Sequence, residues 1–140
     1  MPCILCKISN EKMTFENNPD APFSHLLELA ALKIEATRSE LPLALRRALK
    51  DVAVVLEEFP SREQEADGVS SDQLGLFEGA VAADSQNPQV ARIVLWLGNL
   101  WEMCEAEEAA YLEEVRITFL HELGHYIGFD ESDLFDRGLE

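Results

Sequence analysis

His121-Glu122-Leu123-Gly124-His125, then Gly128 and the acid pair Asp130-Glu131, is where this 140-residue chain could do chemistry. Two of its three histidines lie here, four residues apart. On a helix that spacing stacks side chains on one face with Cβ atoms roughly 5–6 Å apart, so His121 and His125 can grip one small cation from one side. Glu122 projects about 100° around the axis from His121, too far round for an equal ligand but near enough to hydrogen-bond a water held there. That division of labour is metal-assisted hydrolysis: the cation acidifies water and polarises a carbonyl, and the carboxylate moves the proton.

The element that must position these groups is a helix with two ridges. Taking His121 as the origin, Leu112, Val115, Phe119, Leu123 and Ile127 fall within about 60° of the opposite side and form the stripe that the helix buries. Glu114, Thr118, His121, His125 and Gly128 form the other ridge, flanked by Ile117 and Gly124. A catalytic zinc takes three protein ligands and keeps a fourth position open for water. Gly128 can adopt the left-handed conformation that ends a helix and turns the chain back, and beyond it stand Asp130, Glu131 and Asp133. Asp133 reads as a solvated charge or a cap of a last short helix over 132–137. A His-His-carboxylate set suits zinc without excluding iron or manganese.

The residues beyond the second histidine distinguish several kinds of metal site. Glu131 occupies the place of the third histidine in the metzincin pattern, but a metzincin needs a downstream methionine turn, and Met1, Met13 and Met103 all precede the motif. A gluzincin draws its third ligand from a second helix, for which the fifteen residues after His125 leave no room. The chain resembles instead the small bacterial zincin-like metallopeptidases, with H-E-x-x-H-x-x-G-x-x-[DE]. Leu41-Pro42, Asp51-Val52-Ala53-Val54-Val55-Leu56-Glu57, Leu74-Gly75-Leu76-Phe77-Glu78-Gly79, Arg92-Ile93-Val94-Leu95-Trp96 and Val115-Arg116-Ile117-Thr118-Phe119-Leu120 are similar to that family in order and spacing.

The resemblance covers roughly Phe23 to Leu139 and implies an α+β domain of minimal zincin-like form, a short mixed sheet packed on the active-site helix with extra N-terminal helices. It implies one zinc ion, His121, His125 and Glu131 as ligands and Glu122 as general base; Asp130 stays open as the alternative third ligand. In zincins an edge strand above the metal pairs with the extended substrate backbone. The resemblance assigns that role to the Arg92–Leu97 strand, with Arg92, Val94 and Trp96 as substrate-binding residues; an internal strand is the competing reading.

Composition bounds the rest. With 47% hydrophobic residues, 140 residues can bury one core. A formal charge of −16 repels phosphate backbones and anionic membranes, so the expected partner is a peptide or protein substrate, with no nucleic acid and no membrane; a homodimer is left open. Residues 1–21 read as a loosely attached leader and 22–140 as the metallopeptidase domain. Cys3 and Cys6 form a C-x-x-C without a second pair, which argues against a structural zinc. The leader lacks the pattern of a signal peptide, and the cytoplasm is the expected location.

Further along, apolar spacing predicts a helix over Phe23–Ser39 with His25 on its polar side as a surface residue, and Pro42 opening a second helix to Lys50. Strands are predicted over Asp51–Phe59, Gly75–Ala82 and Ala91–Leu97, and Ser61 with Gln64 reads as the cap of a short helix to Asp67. No tyrosine or further histidine offers itself as an electrophilic helper, since Tyr126 points about 140° from His121. Two other readings of the site are a hydrolase of another bond, as in RNA-processing metal enzymes of the same motif spacing, and a non-catalytic metal-binding or interaction protein. Glu122, Glu131 and the acidic charge speak against the first.

Overall fold

The computed structural model describes residues 16–79 and 91–128. In chain order these form α1 (Phe23–Glu40), α2 (Leu43–Ala48), a single 3₁₀ turn (Leu49–Asp51), β1 (Val52–Glu57), α3 (Arg62–Ala66), β2 (Gly75–Glu78), β3 (Ala91–Trp96), α4 (Leu97–Met103) and α5 (Glu108–Ile127). Helices around a small three-stranded mixed sheet make this the α+β arrangement that the sequence implies.

Local chemistry sets several element ends. Pro42 forces Leu41 into extended backbone, which stops α1 and lets α2 begin one residue later. At α3 the predicted capping box forms in full: Ser61 Oγ accepts from the Gln64 amide at 3.1 Å and Gln64 Oε1 from the Ser61 amide at 2.8 Å. The Gln64 side-chain amide also donates to Glu57, which accepts the Trp96 indole N–H at 3.1 Å and so ties α3 to the sheet.

The strand order is β1-β3-β2, with β1 parallel and β2 antiparallel to β3. The edge position expected for the Arg92–Leu97 strand is therefore corrected: β3 lies in the middle. The reason is its unbroken apolar run. Ile93, Val94, Leu95 and Trp96 are each at most 1% exposed, and a strand buried on both faces takes neighbours on both flanks. Arg92 is the exception, turned to solvent and paired with Glu78.

Ile93 and Leu95 join a core with Leu26, Ala30 and Ile34 of α1 and Val115, Phe119 and Leu123 of α5. Inside it the Tyr111 hydroxyl donates to the Leu26 carbonyl at 2.8 Å, fastening α5 to α1. Helix α4, which apolar patterning does not predict, starts directly at Leu97. Gly98 allows this, because a β-carbon there would sit 2.5 Å from the Phe59 ring while its amide donates to Glu58 O. His25 is not a plain surface residue: its ring is 19% exposed and its Nε2 lies 3.8 Å from Glu108 across the α1–α5 seam.

Of the stretch expected to be a loose leader, residues 16–21 lie against the domain. The Asn17 amide donates to Ala106 O, the Trp101 indole donates to Asn18 O at 2.8 Å, and Ala21 is buried. Cys3, Cys6 and the 132–137 segment lie outside the described residues. Among the described residues no helix is long and apolar enough to cross a membrane.

Helix α5 ends at Gly128, whose φ of +99° is left-handed and whose amide donates to Gly124 O and His125 O. Nothing lies within 4 Å of a β-carbon built there, so only backbone strain opposes a side chain. Gly128→Ala is expected to lower stability by about 1 kcal/mol in urea unfolding, the left-handed penalty of a residue with a Cβ; an unshifted midpoint would show that the helix does not end in this bend.

Candidate metal centre

Helix α5 buries Val115, Phe119 and Leu123 of the predicted stripe, while Leu112 and Ile127 are only partly covered; it also buries Tyr111, Thr118, Leu120, Gly124 and Tyr126. Two sides of the helix are thus covered, one by α1 and one by β2 and β3. His121, Glu122 and His125 remain half-buried on the ridge that runs along β2. The two imidazoles converge, with Nε2 atoms 3.2 Å apart, ring centroids 4.8 Å apart and ring planes at 79°.

A tetrahedral zinc bound at about 2.0–2.1 Å requires its imidazole nitrogens to stand about 3.3 Å apart. The observed separation of 3.2 Å matches one edge of that tetrahedron. It equally fits one ring donating Nε2–H to the other, so the pair is built to share a proton or a cation. Among the described residues no group of three His, Cys, Asp or Glu side chains comes together. Asp130, Glu131 and Asp133 all lie outside the described residues. Cys104 lines neither cavity beside the histidines; burial, and then Glu114 and Glu107, push its thiol up to about 11.

The opposite wall of the site is β2. A β-carbon on Gly75 would meet Thr118 Cγ2 at 2.7 Å and Leu95 Cδ2 at 3.1 Å, so the absence of a side chain lets the strand lie directly on the helix, one turn before His121. The approach to the strand is held as well. The buried Asn99 of α4 donates to Ser71 O at 2.9 Å and to Gln73 O at 2.8 Å, while Gln73 Nε2 donates to Gly75 O. Farther along, Phe77 packs on Tyr126 with centroids 5.8 Å apart. Tyr126 is accordingly held in the core, as its helical phase predicts, and supplies no hydroxyl to the site.

Two cavities open between β2 and α5. One of about 470 Å³ is lined by Gln73, Gly75, Leu76, Phe77, Glu122 and His125. The other, of about 260 Å³, is lined by Leu74, Gly75, Glu114, Ile117, Thr118, His121 and Glu122. Glu122 belongs to both and therefore stands between them.

Arg92, Val94 and Trp96 line neither cavity; Val94 and Trp96 are sealed within the sheet and Arg92 is held by Glu78, whose carboxylate raises its pKa further. The strand edge near the histidines belongs to β2. The Trp96 amide donates to Leu74 O, so alternation along the antiparallel ladder points the Phe77 N–H and C=O away from β3, and no described strand pairs there. Sequence reasoning missed Gly75, Asn99 and Gln73 as site-building residues. Their spacing carries no signal, because each acts on a partner distant in the chain.

Comparison with known families gives a match between residues 49–139 and a family model described as zincin-like metallopeptidase. The match spans about two thirds of the chain, from before β1 to past Glu131. No curated protein matches the chain.

Gly75→Ala is expected to cost roughly 1–3 kcal/mol, the usual penalty of overpacking, because neither the Thr118 methyl on the helix nor Leu95 can recede freely. Thermal unfolding would measure it, and an unchanged midpoint would mean that the strand does not rest on the helix as described.

Proposed function

The chain belongs to the zincin-like metallopeptidase family, and on that premise we propose that it is a zinc-dependent peptidase with His121, His125 and a returning carboxylate as metal ligands. The observation that carries this reading is the convergence of the two Nε2 atoms to 3.2 Å beside a half-buried Glu122. We assign Glu131 as the third ligand, with Asp130 as its alternative; the left-handed bend at Gly128 supports a return of the chain toward the helix end. When bound, zinc supplies Lewis-acid polarisation of the peptide carbonyl and an acidified water.

The remaining work falls to the protein. Glu122, between the two cavities, takes the proton of the attacking water and passes it to the departing amine. The backbone of β2 holds the substrate as an added strand through the Phe77 N–H and C=O, a mode in which main-chain bonds give affinity and the cavities read side chains. This moves the role first assigned to Arg92, Val94 and Trp96 onto the neighbouring strand. A substrate lying over the cleft also displaces bulk solvent from around Glu122 and the reacting water, which strengthens each charge interaction there.

Glu122→Gln is expected to retain one zinc per chain by elemental analysis and to lose at least 10²-fold in peptide turnover, the typical contribution of a general base; turnover at the wild-type rate would remove Glu122 from the mechanism. Zinc at 100 times its Kd should stabilise the wild-type protein by about 2.7 kcal/mol, a rise of roughly 5–10 °C in melting temperature for a domain of this size. His121→Ala and His125→Ala should each abolish that rise. A full rise in both variants would place the metal elsewhere.

A further inference from the structure

Glu114 is the charged residue of the histidine ridge that the proposed chemistry does not use. It lines the 260 Å³ cavity together with His121 and Glu122, seven residues before His121 and so about 10 Å along the helix axis from it. Between them the wall is aliphatic, formed by Leu74, Ile117 and the Thr118 methyl. This volume is below that of pockets which enclose whole small molecules and suits a single long side chain. Such a guest, starting beside Glu122, meets apolar surface along its length and a carboxylate at its tip.

The charge around this cavity is one-sided. Among the described residues no lysine or arginine lines it, nor the adjoining cavity that shares Leu74 and carries Asp72 and Glu102. The cation closest in sequence, Arg116, is committed to Glu113 on the outer face of the helix, and Arg92 to Glu78. Glu114 itself forms no ion pair with a described residue. A half-buried carboxylate without a cation gains from one that arrives with its own apolar stem, and lysine and arginine are the side chains that carry both. The net charge of −16 also raises the encounter rate with cationic peptides.

We propose that the Leu74–Ile117–Glu114 cavity is a specificity pocket for a substrate lysine or arginine next to the scissile bond, the aliphatic stem lying on Leu74 and Ile117 and the cation at Glu114. This inference rests on the peptidase reading, and two measurements keep the two apart.

In the first, zinc-loaded wild-type protein digests a defined peptide library, and kcat/KM is compared for peptides that differ only by lysine or its uncharged isostere norleucine beside the cut. The pocket predicts at least a tenfold preference for lysine, a preference that collapses toward unity in Glu114→Gln and turns toward glutamate in Glu114→Lys. In the second, the same two peptides are titrated into zinc-loaded Glu122→Gln protein and their Kd values compared, with and without Glu114→Gln. Cleavage or binding that ignores the charge, or a lysine preference that survives Glu114→Gln, overturns the pocket and leaves the peptidase reading standing. A Glu114-dependent binding preference in a protein whose wild type cuts nothing upholds the pocket and overturns the peptidase reading.

Discussion

Gly75 lies so close to Thr118 that no β-carbon fits between them, and the rest of the site depends on that contact. It brings a four-residue strand down onto the helix ridge one turn before His121, leaving cavities to either side of Glu122 instead of a filled interface. The helix could not accept the strand so closely with a bulkier residue at 118. Nor could the strand hold its place without Asn99, whose side-chain amide spans the Ser71 and Gln73 carbonyls and fixes the loop that enters β2. Removing the buried Asn99 amide would leave two part-buried carbonyls without this donor, which makes the arrangement costly to disturb.

The helix meets two demands that pull in opposite directions. Its stability comes from burial of Tyr111, Val115, Phe119 and Leu123 against α1 and the sheet, which favours covering every side. Its chemistry requires His121, Glu122 and His125 to stay reachable. Helical periodicity reconciles these because the histidine ridge lies opposite the buried stripe, and the short β2 covers that ridge only in part.

Features set by local rules were legible in the sequence. The phase of α5, the left-handed stop at Gly128, the break at Leu41-Pro42 and the Ser61–Gln64 box each depend on residues within a turn of one another. Features set by tertiary contact were not. Arg92–Trp96 reads as a strand from its composition, but its place in the middle of the sheet is decided by which strands flank it, and only the apolar residues on both faces hint at that. Helix α4 escaped because Leu97, Gly98, Asn99, Leu100 and Trp101 are all buried, so no amphipathic period exists to detect. The opposite error occurred at His25, whose pairing with Glu108 joins helices far apart in sequence. The histidine pair was legible in full, since a spacing of four on one helix fixes the relation of its members before any tertiary contact forms.

The central claim is that the converging imidazoles of His121 and His125 seat a zinc ion completed by oxygen. X-ray absorption at the zinc edge of the loaded full-length protein tests it most directly. The account predicts one zinc per chain with two histidine imidazoles and oxygen donors at about 2.0–2.1 Å and no sulfur. A sulfur shell near 2.3 Å, or zinc bound without imidazole scattering, would contradict it.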